Sequence, residues 1–390
     1  MSFVSLNKTS LQNALTLANQ VSPKKSDIEI FTYTKCEIKK DVIVLSSLQS
    51  NAFVKATVNL ENNDSDSDIV FLIKTDQFAN TVSTLSDDMI SIDIDLKKLM
   101  IVVQGAKSKH TLRIDTDRLG DFVEPEEKPD ELLVKFKVHT DPFIEANKVA
   151  FTTVGLPKNV YQPEFLSVCY TVDPKSDKIK VVSCDKFRIS KTILESEIEH
   201  AGPEFGDQQR NFLIQPKGLQ LLHSCLNEVK DISLNFEKSM VWVHMENATL
   251  VLRYGDGTYP DYEKIIPKSY TCNFTANTED LRQALKQVYL TARTNIINKS
   301  LAMKVDPKNK KITFSSTSDD GFSSESVVDL VSYEGVNDEW SQSFNTDYLL
   351  DFINQIKTEN VLFDANPGKP MVLSPEGLKD KQICMVQGLR

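Results

Sequence analysis

Apolar residues recur along this chain in two rhythms, helical and alternating, and the succession of rhythms itself recurs. Leu11, Ala14, Leu15 and Ala18 fall at i, i+3, i+4 and i+7, the stripe of an amphipathic helix, directly after a strand-like run from Phe3 to Leu6. Asn7, Thr9 and Ser10 are residue types that can cap such a helix. Leu281, Ala284, Leu285 and Val288 repeat the spacing after the strand-like 274–278, and Phe143, Ala146 and Ala150 after 136–140. In that third copy the polar Asn147 stands where the stripe expects an apolar side chain. The first anchors Leu11, Phe143 and Leu281 lie 132 and 138 residues apart (143 − 11 and 281 − 143).

A second helix pattern recurs independently. Ile73 leads five residues later into Phe78, Val82 and Leu85; Ile214 into Leu219, Leu222 and Leu226; Phe344 into Leu349, Phe352, Ile353 and Ile356. Each gives way to an alternating strand: Ile90, Ile92, Ile94; then Ile232, Leu234, Phe236; then Val361 and Phe363. Two unrelated helix patterns with one period and one order predict a repeat of about 130 residues, present three times. The expected class is α+β, three tandem copies of a two-helix, two-sheet domain over 1–129, 130–267 and 268–390.

Turn chemistry supports those boundaries. The acidic stretch 115–129, with Pro125 and Pro129, reads as a linker. The stretch Gly255-Asp256-Gly257-Thr258-Tyr259-Pro260-Asp261-Tyr262-Glu263-Lys264-Ile265-Ile266-Pro267 reads as a stiff joint, because its glycines permit a tight turn and its prolines hold the chain extended. The polar segments 62–68 and 315–326 read as solvated stretches between strands.

Composition changes the picture little. With 390 residues, 40% hydrophobic and 26% charged, the chain is globular and long enough for two or three cores. No apolar run reaches the ~20 residues that span a bilayer, and Met1–Leu6 lacks the basic start and apolar core of a signal, so a cytoplasmic protein is expected. The six cysteines are scattered without a Cys-x-x-Cys pair, so buried free thiols are expected and no metal is assigned. A net charge of −10 argues against a protein coated in nucleic acid, unless its cations gather on one surface.

Catalytic constellations are missing. The sequence holds no phosphate-binding glycine loop with Lys-Ser/Thr, no Gly-x-Gly-x-x-Gly after a strand, no His-Glu-x-x-His and no Gly-x-Ser-x-Gly. The five histidines are far apart, and the carboxylate pairs Asp87-Asp88 and Asp319-Asp320 read as exposed turns. A non-enzymatic protein without a cofactor is expected.

The repeat and the joint together resemble the family of the bacterial DNA polymerase III beta subunit, the sliding clamps, over essentially the whole chain. The segment 256–267 is similar to the family's aspartate-glycine-x-aromatic-proline-aspartate-tyrosine element. Ser183-Cys184-Asp185-Lys186-Phe187-Arg188-Ile189 resembles its small-Asp-Gly-His-Arg-Leu element, with Lys186 and Phe187 in place of glycine and histidine. The resemblance implies a head-to-tail homodimer whose six domains close a ring around duplex DNA, helices inside and sheets outside. It also implies a processivity factor that tethers a replicative polymerase. The rival reading is a repeat-built structural or interaction protein that does not encircle DNA.

By the same resemblance, sequence-independent DNA contacts fall on Lys8, Lys24, Lys25, Lys107, Lys109, Lys148, Arg282, Lys286 and Arg293, with Lys158 and Lys299 nearby. A groove for short linear motifs of polymerase, clamp loader and repair proteins falls on Phe165, Cys184, Phe187, Arg188, Ile189, Pro260, Lys264, Ile265, Met385 and Val386. The dimer contact falls on His110, Leu112 and Leu290, with an intrachain core role for Leu112 left open. Lys186, Phe187 and the absence of a proline after Met385 imply partner motifs tuned away from the common one.

Overall fold

Of the six α-helices among the described residues, five are entered directly from a strand and the fourth after the single residue Gln215. The computed structural model describes residues 2–389 except Asp66, Asn159, Asp207, Asn227, Glu228, Asp256, Ile296 and Ile297, so Asp256 of the joint motif lies outside the described residues. The helices are α1 (Lys8–Val21), α2 (Thr75–Thr84), α3 (Thr140–Phe151), α4 (Pro216–Cys225), α5 (Thr278–Ala292) and α6 (Thr346–Ile353). Asparagine side chains start three of them by accepting orphan backbone N–H groups. Asn7 accepts from Ser10 N at 3.0 Å, Asn277 from Glu279 N at 2.9 Å, and Asn345 from Asp347 N at 2.9 Å. The expected stripes are buried: Leu11, Leu15 and Ala18; Phe78 and Val82; Leu281, Leu285 and Val288; Phe352 and Ile353.

The chain divides into two compact units, Met1–Thr140 with Ile198–Gly206 and Lys217–Tyr254, and Asp141–Glu197 with Asp207–Pro216 and Gly255–Arg390. In the first unit eight antiparallel strands close on themselves in the order Ser2–Asn7, Met89–Asp95, Met100–Gln104, Lys109–Asp115, Ile69–Lys74, Tyr33–Ile38, Val42–Gln49 and Ala52–Asn63. Pairing of Val4 with Asn63 makes the closure. Five further strands extend the sheet from Ala52–Asn63: Ala248–Arg253, Met240–His244, Asp231–Phe236, Val134–His139 and Glu197–Ala201. Helices α1 and α2 pack on each other over a core that includes Val4, Leu11, Phe71, Phe78 and Ile92.

The second unit holds a twelve-stranded antiparallel sheet ordered Arg210–Ile214, Val168–Val172, Lys178–Cys184, Arg188–Glu195, Gln382–Val386, Met371–Pro375, Asn360–Ala365, Cys272–Asn277, Ser323–Gly335, Lys311–Thr317, Ser300–Asp306 and Trp340–Asn345. Helices α5 and α6 pack together, with α5 on the Lys311–Thr317 and Ser323–Gly335 strands. Phe274 anchors that core, stacked on Phe363 at 4.9 Å between ring centroids.

Corresponding strands behave alike in the two units. Ala52–Asn63 has Val42–Gln49 on one side and Ala248–Arg253 on the other, with Val54 opposite Leu250. Arg188–Glu195 likewise lies between Lys178–Cys184 and Gln382–Val386, with Ser190 opposite Cys384. Besides the terminal strands Glu197–Ala201, Arg210–Ile214 and Trp340–Asn345, two strands among the described residues leave part of an edge unpaired. Lys109–Asp115 meets Ile69–Lys74 only at Ile114 and Asp115, and Ser323–Asp329 pairs only with Lys311–Thr317.

Three sequence expectations change. The 315–326 stretch is mostly strand, because its serines find acceptors: Ser316 donates to Ser300 O, Ser324 to Val288 O and Ser326 to Gln287. The 115–129 linker is strapped down, with Phe122 buried and Glu124 bridging Lys35 at 3.0 Å and Lys55 at 3.2 Å. Asn147, the break in the third stripe, is fully buried; it accepts from the Tyr170 hydroxyl and donates to Phe143 O at 3.0 Å. Tyr170→Phe would strand that amide in the core, so it should lower stability by about 1–3 kcal/mol in a denaturant titration.

Candidate functional site

The joint is fastened to the second unit before it can shape anything. Gly255 N donates to Leu213 O at 2.7 Å, and a Cβ on Gly255 would lie 2.5 Å from Ser167 Oγ. Gly257 adopts φ +108°, closed to other residues. Tyr259 and Tyr262 are buried edge to face, 6.2 Å apart. Glu263 then ties the joint to two strands, at 2.9 Å from Lys180 and 3.4 Å from Lys191. Burial works to raise the Glu263 carboxyl, but its bond to Lys180 and the nearby Lys191 charge hold it below the ordinary value.

Against this strap lies an apolar cluster of Cys184, Ile189, Leu213, Tyr262, Val372, Ile383 and Met385, with Phe165, Ile266 and Tyr270 packed on it. Arg188 borders it as a buried cation. Its Nε donates to Asp185 at 2.8 Å, its Nη1 to Asp351 at 2.7 Å, and the guanidinium sits 4.2 Å from the Tyr348 ring centroid. Burial disfavours the charge, but the two carboxylates outweigh it and raise the Arg188 pKa above its ordinary value. Asp185 also accepts from Phe187 N and Arg188 N, shaping the turn. A cleft of about 480 Å³ opens beside Arg188, lined by Phe151, Leu156, Asp351 and Gln355 among others.

Phe187 is half exposed and stacks on Tyr348 at 6.3 Å. Lys186 has φ +78°, the conformation glycine adopts freely, and its Nζ lies 5.8 Å from the Phe165 ring. Lys264 is exposed and paired with Asp261 at 2.8 Å, Pro260 is half-buried, and Ile265 is 48% exposed while Ile266 does the packing. Val386 points away from the cluster into the Phe274 core, because successive strand residues face opposite ways. Sequence reasoning missed Asp185, Tyr348, Asp351, Val372 and Ile383. Tyr348 and Asp351 are polar-face residues of α6 and meet Arg188 across 163 positions, so no local spacing announces them.

The first unit contains a quasi-equivalent cluster. Leu48, Phe53, Val251 and Trp242 are successive cross-strand neighbours there, as Cys184, Ile189, Met385 and Val372 are in the second unit. Lys55 holds the linker's Glu124 as Lys191 holds Glu263. The difference is volume: Phe53 and Trp242 stand where the second unit has Ile189 and Val372.

The candidate cations are unevenly free. Lys148 and Arg282 line one cleft, but Lys148 pairs with Glu145 at 3.1 Å and Arg282 with Glu279 at 3.0 Å. Arg282 also donates to Ile353 O at 3.2 Å and to Ile356 O, capping the C-terminal end of α6. Burial pushes the Glu145 carboxyl up, yet bonds to Lys357 and Lys148 hold it below the ordinary value. Lys24 pairs with Asp76 at 3.3 Å and Lys299 with Asp347 at 2.6 Å. Lys25, Lys107, Lys109, Lys158, Lys286 and Arg293 are exposed and Lys8 half-buried. Of the dimer candidates, His110 is half-buried, Leu112 packs on the first unit's core, and Leu290 is 62% exposed. Among the described residues there is no metal-ligand cluster, no disulfide, and no helix long and apolar enough to cross a membrane. Burial pushes the Cys184 thiol up to about 11 and the Cys384 thiol up to about 12.

The fold is that of the DNA polymerase sliding clamps. The clamp of Pseudomonas aeruginosa superposes with a TM-score of 0.87 over 100% of both chains at 16% identity, and the beta subunit of Thermotoga maritima with 0.84 over 100% of both at 19%. Another Pseudomonas aeruginosa clamp of the same fold (TM-score 0.86, 17% identity, 100% of this chain and 99% of that one) was solved bound to griselimycin. Residues 263–386 match the family described as DNA polymerase III beta subunit, C-terminal domain. The beta sliding clamp of Helicobacter pylori is 22% identical over 97% of this chain and 95% of its own length, and that of Lactococcus lactis 22% identical over 99% and 98%. The chain is thus similar over nearly its whole length to beta sliding clamps, at about one residue in five, and its C-terminal third matches that family's C-terminal domain.

Two outcomes test this site. Lys186→Gly relieves a left-handed lysine, so it should leave stability unchanged or raise it by up to about 1 kcal/mol, where a glycine inside a regular strand would cost a similar amount. Val372→Trp puts an indole where the valine is already buried, so it should lower stability by about 1–3 kcal/mol or more in a denaturant titration, whereas the volume-similar Val372→Ile should cost less.

Proposed function

We propose that this protein is a DNA sliding clamp, a non-catalytic processivity factor of three repeats, 1–129, 130–267 and 268–390. Two copies close head to tail into a six-repeat ring around duplex DNA in the cytoplasm. A loader opens the ring, and the replicative polymerase and repair proteins dock short motifs in the groove at the second inter-repeat joint. The observation that carries the reading is the recurrence of one join. The strand Ala248–Arg253 extends the sheet at Ala52–Asn63 just as Gln382–Val386 extends it at Arg188–Glu195, which is the geometry of a series that continues. The partly unpaired strands Lys109–Asp115, in the first unit, and Ser323–Gly335, in the second, are edges such a series could use.

A sliding ring needs weak contacts to phosphate and none to bases. Exposed Lys25, Lys286 and Arg293, on or just beyond the first helices of the outer repeats, suit that need. The net charge of −10 fits a basic lining inside an acidic exterior that repels DNA. In the groove, Phe187 on Tyr348 offers an aromatic shelf beside the cleft at Arg188, and the half-exposed Ile265 adds apolar surface, which suits an aromatic-aliphatic peptide.

Topological retention tests the function directly. Protein placed by a loader on nicked circular DNA should stay bound through a wash of about 0.5 M salt, where contacts to phosphate alone weaken by orders of magnitude. Cutting the circle should release it. Equal retention on linear and circular DNA would overturn the reading.

A further inference from the structure

We propose that the cavity under the 115–129 strap, wholly within the first unit, is a docking site for an extended peptide with bulky apolar side chains between a basic and an acidic residue. The cavity measures about 430 Å³ and rests on the buried Leu48, Phe53 and Val251, with the half-buried Ile30 and Phe31 beside them. That is the size and lining of an ordinary ligand pocket.

A comparison of the two straps explains why the space is here. Val251 opposes Phe53 and Phe53 opposes Leu48, as Met385 opposes Ile189 and Ile189 opposes Cys184. Each strap is tied down by one glutamate, Glu124 to Lys55 at 3.2 Å and Glu263 to Lys191 at 3.4 Å. In sequence, Val123 precedes Glu124 as Tyr262 precedes Glu263, and Gly120 stands where Tyr259 does. The two tyrosines are buried against each other and cover the second unit's cluster. Valine and glycine supply no such cover. Phe122 still packs on the first cluster, but Val123 is 76% exposed at the cavity wall, and a Cβ on Gly120 would meet nothing within 4 Å. The first strap therefore leaves apolar surface in water that an incoming side chain would cover.

Charge on the rim says what kind of ligand fits. Three charged side chains line the cavity, and Glu124 is already neutralised by Lys35 at 3.0 Å and Lys55 at 3.2 Å. Asp121 and Arg253 are exposed and form no ion pair with each other or with any other described residue. The Arg253 backbone is fixed, its N–H donating to Asn51 O at 3.0 Å. Two opposite charges held apart beside apolar walls match a ligand with an acid at one end, a base at the other and apolar groups between. Gln49 and Ser50, also on the lining, offer amide and hydroxyl groups to a peptide backbone. Nucleic acid would need a run of cations, and this rim has one free cation among the described residues.

Isothermal titration of the full-length protein with the synthetic peptide acetyl-Lys-Gly-Leu-Gly-Phe-Asp-amide tests the site. The parent should bind with a Kd below about 1 mM. Val123→Asp, which sets a charge in the apolar wall, should weaken binding roughly tenfold, and Arg253→Glu roughly fivefold. A second peptide, with lysine in place of the terminal aspartate, should prefer Arg253→Glu to the parent. Both side chains are exposed, so melting temperatures should stay within a few degrees of the parent. Three outcomes would overturn the proposal: no saturable binding, binding that neither variant weakens, or a lysine peptide that prefers the parent. A peptide seated only at the second joint gives the second of these, because Val123 and Arg253 are not part of that groove. The proposal stands apart from the ring reading. Both variants should keep the parent's behaviour on nicked circular DNA, so failure of the ring shows in the retention assay and failure of this site in the titration.

Discussion

Pairing of open sheet edges is the interaction on which this structure depends. A strand edge presents a row of unsatisfied N–H and C=O groups, and a chain built of small sheets generates such edges at every end. Here they are used as joints: Ala52–Asn63 accepts Ala248–Arg253, and Arg188–Glu195 accepts Gln382–Val386. Because each join is a run of backbone bonds in a fixed register, it sets the angle and the side-chain neighbours of what it connects. On the proposed reading, the ring is what remains when the same join is made once more between chains.

On the same reading, the proposed groove is a by-product of that join. Cross-strand neighbours at the seam of two sheets make an apolar row, and its depth depends on side-chain volume. Leu48, Phe53 and Trp242 make one row, and the smaller Cys184, Ile189 and Val372 make the other. The strap carrying Tyr259, Tyr262 and Glu263 covers the second row, and Arg188, held by Asp185 and Asp351, keeps its border polar without an unpaired charge. A buried cation held on two sides is a rigid border, suited to a preformed pocket.

Much of this was legible in the sequence, for identifiable reasons. Helix stripes such as Leu11, Ala14, Leu15 and Ala18 are local periodicities, and so are the strands after them; both appear where expected. The turn around Lys186 was visible as a departure from glycine, and the backbone there is left-handed. What the pattern could not carry was long-range partnership. Asn147 looked like a flaw until Tyr170 supplied its bond, Arg282 looked like a free cation until α6 ended on it, and Val386 looked like groove until its strand parity turned it to the core. The stretch 115–129 read as a solvated linker because acidic residues usually are; Lys35 and Lys55, some 70 to 90 positions away, make Glu124 a strap.

The measurement that bears most directly on the central claim is an image of the assembled protein. Electron microscopy of the purified full-length chain should show closed rings of six similar lobes around a hole wide enough for duplex DNA, with two copies per particle. Particles that are open arcs, rods or single three-lobed chains at concentrations well above micromolar would contradict it.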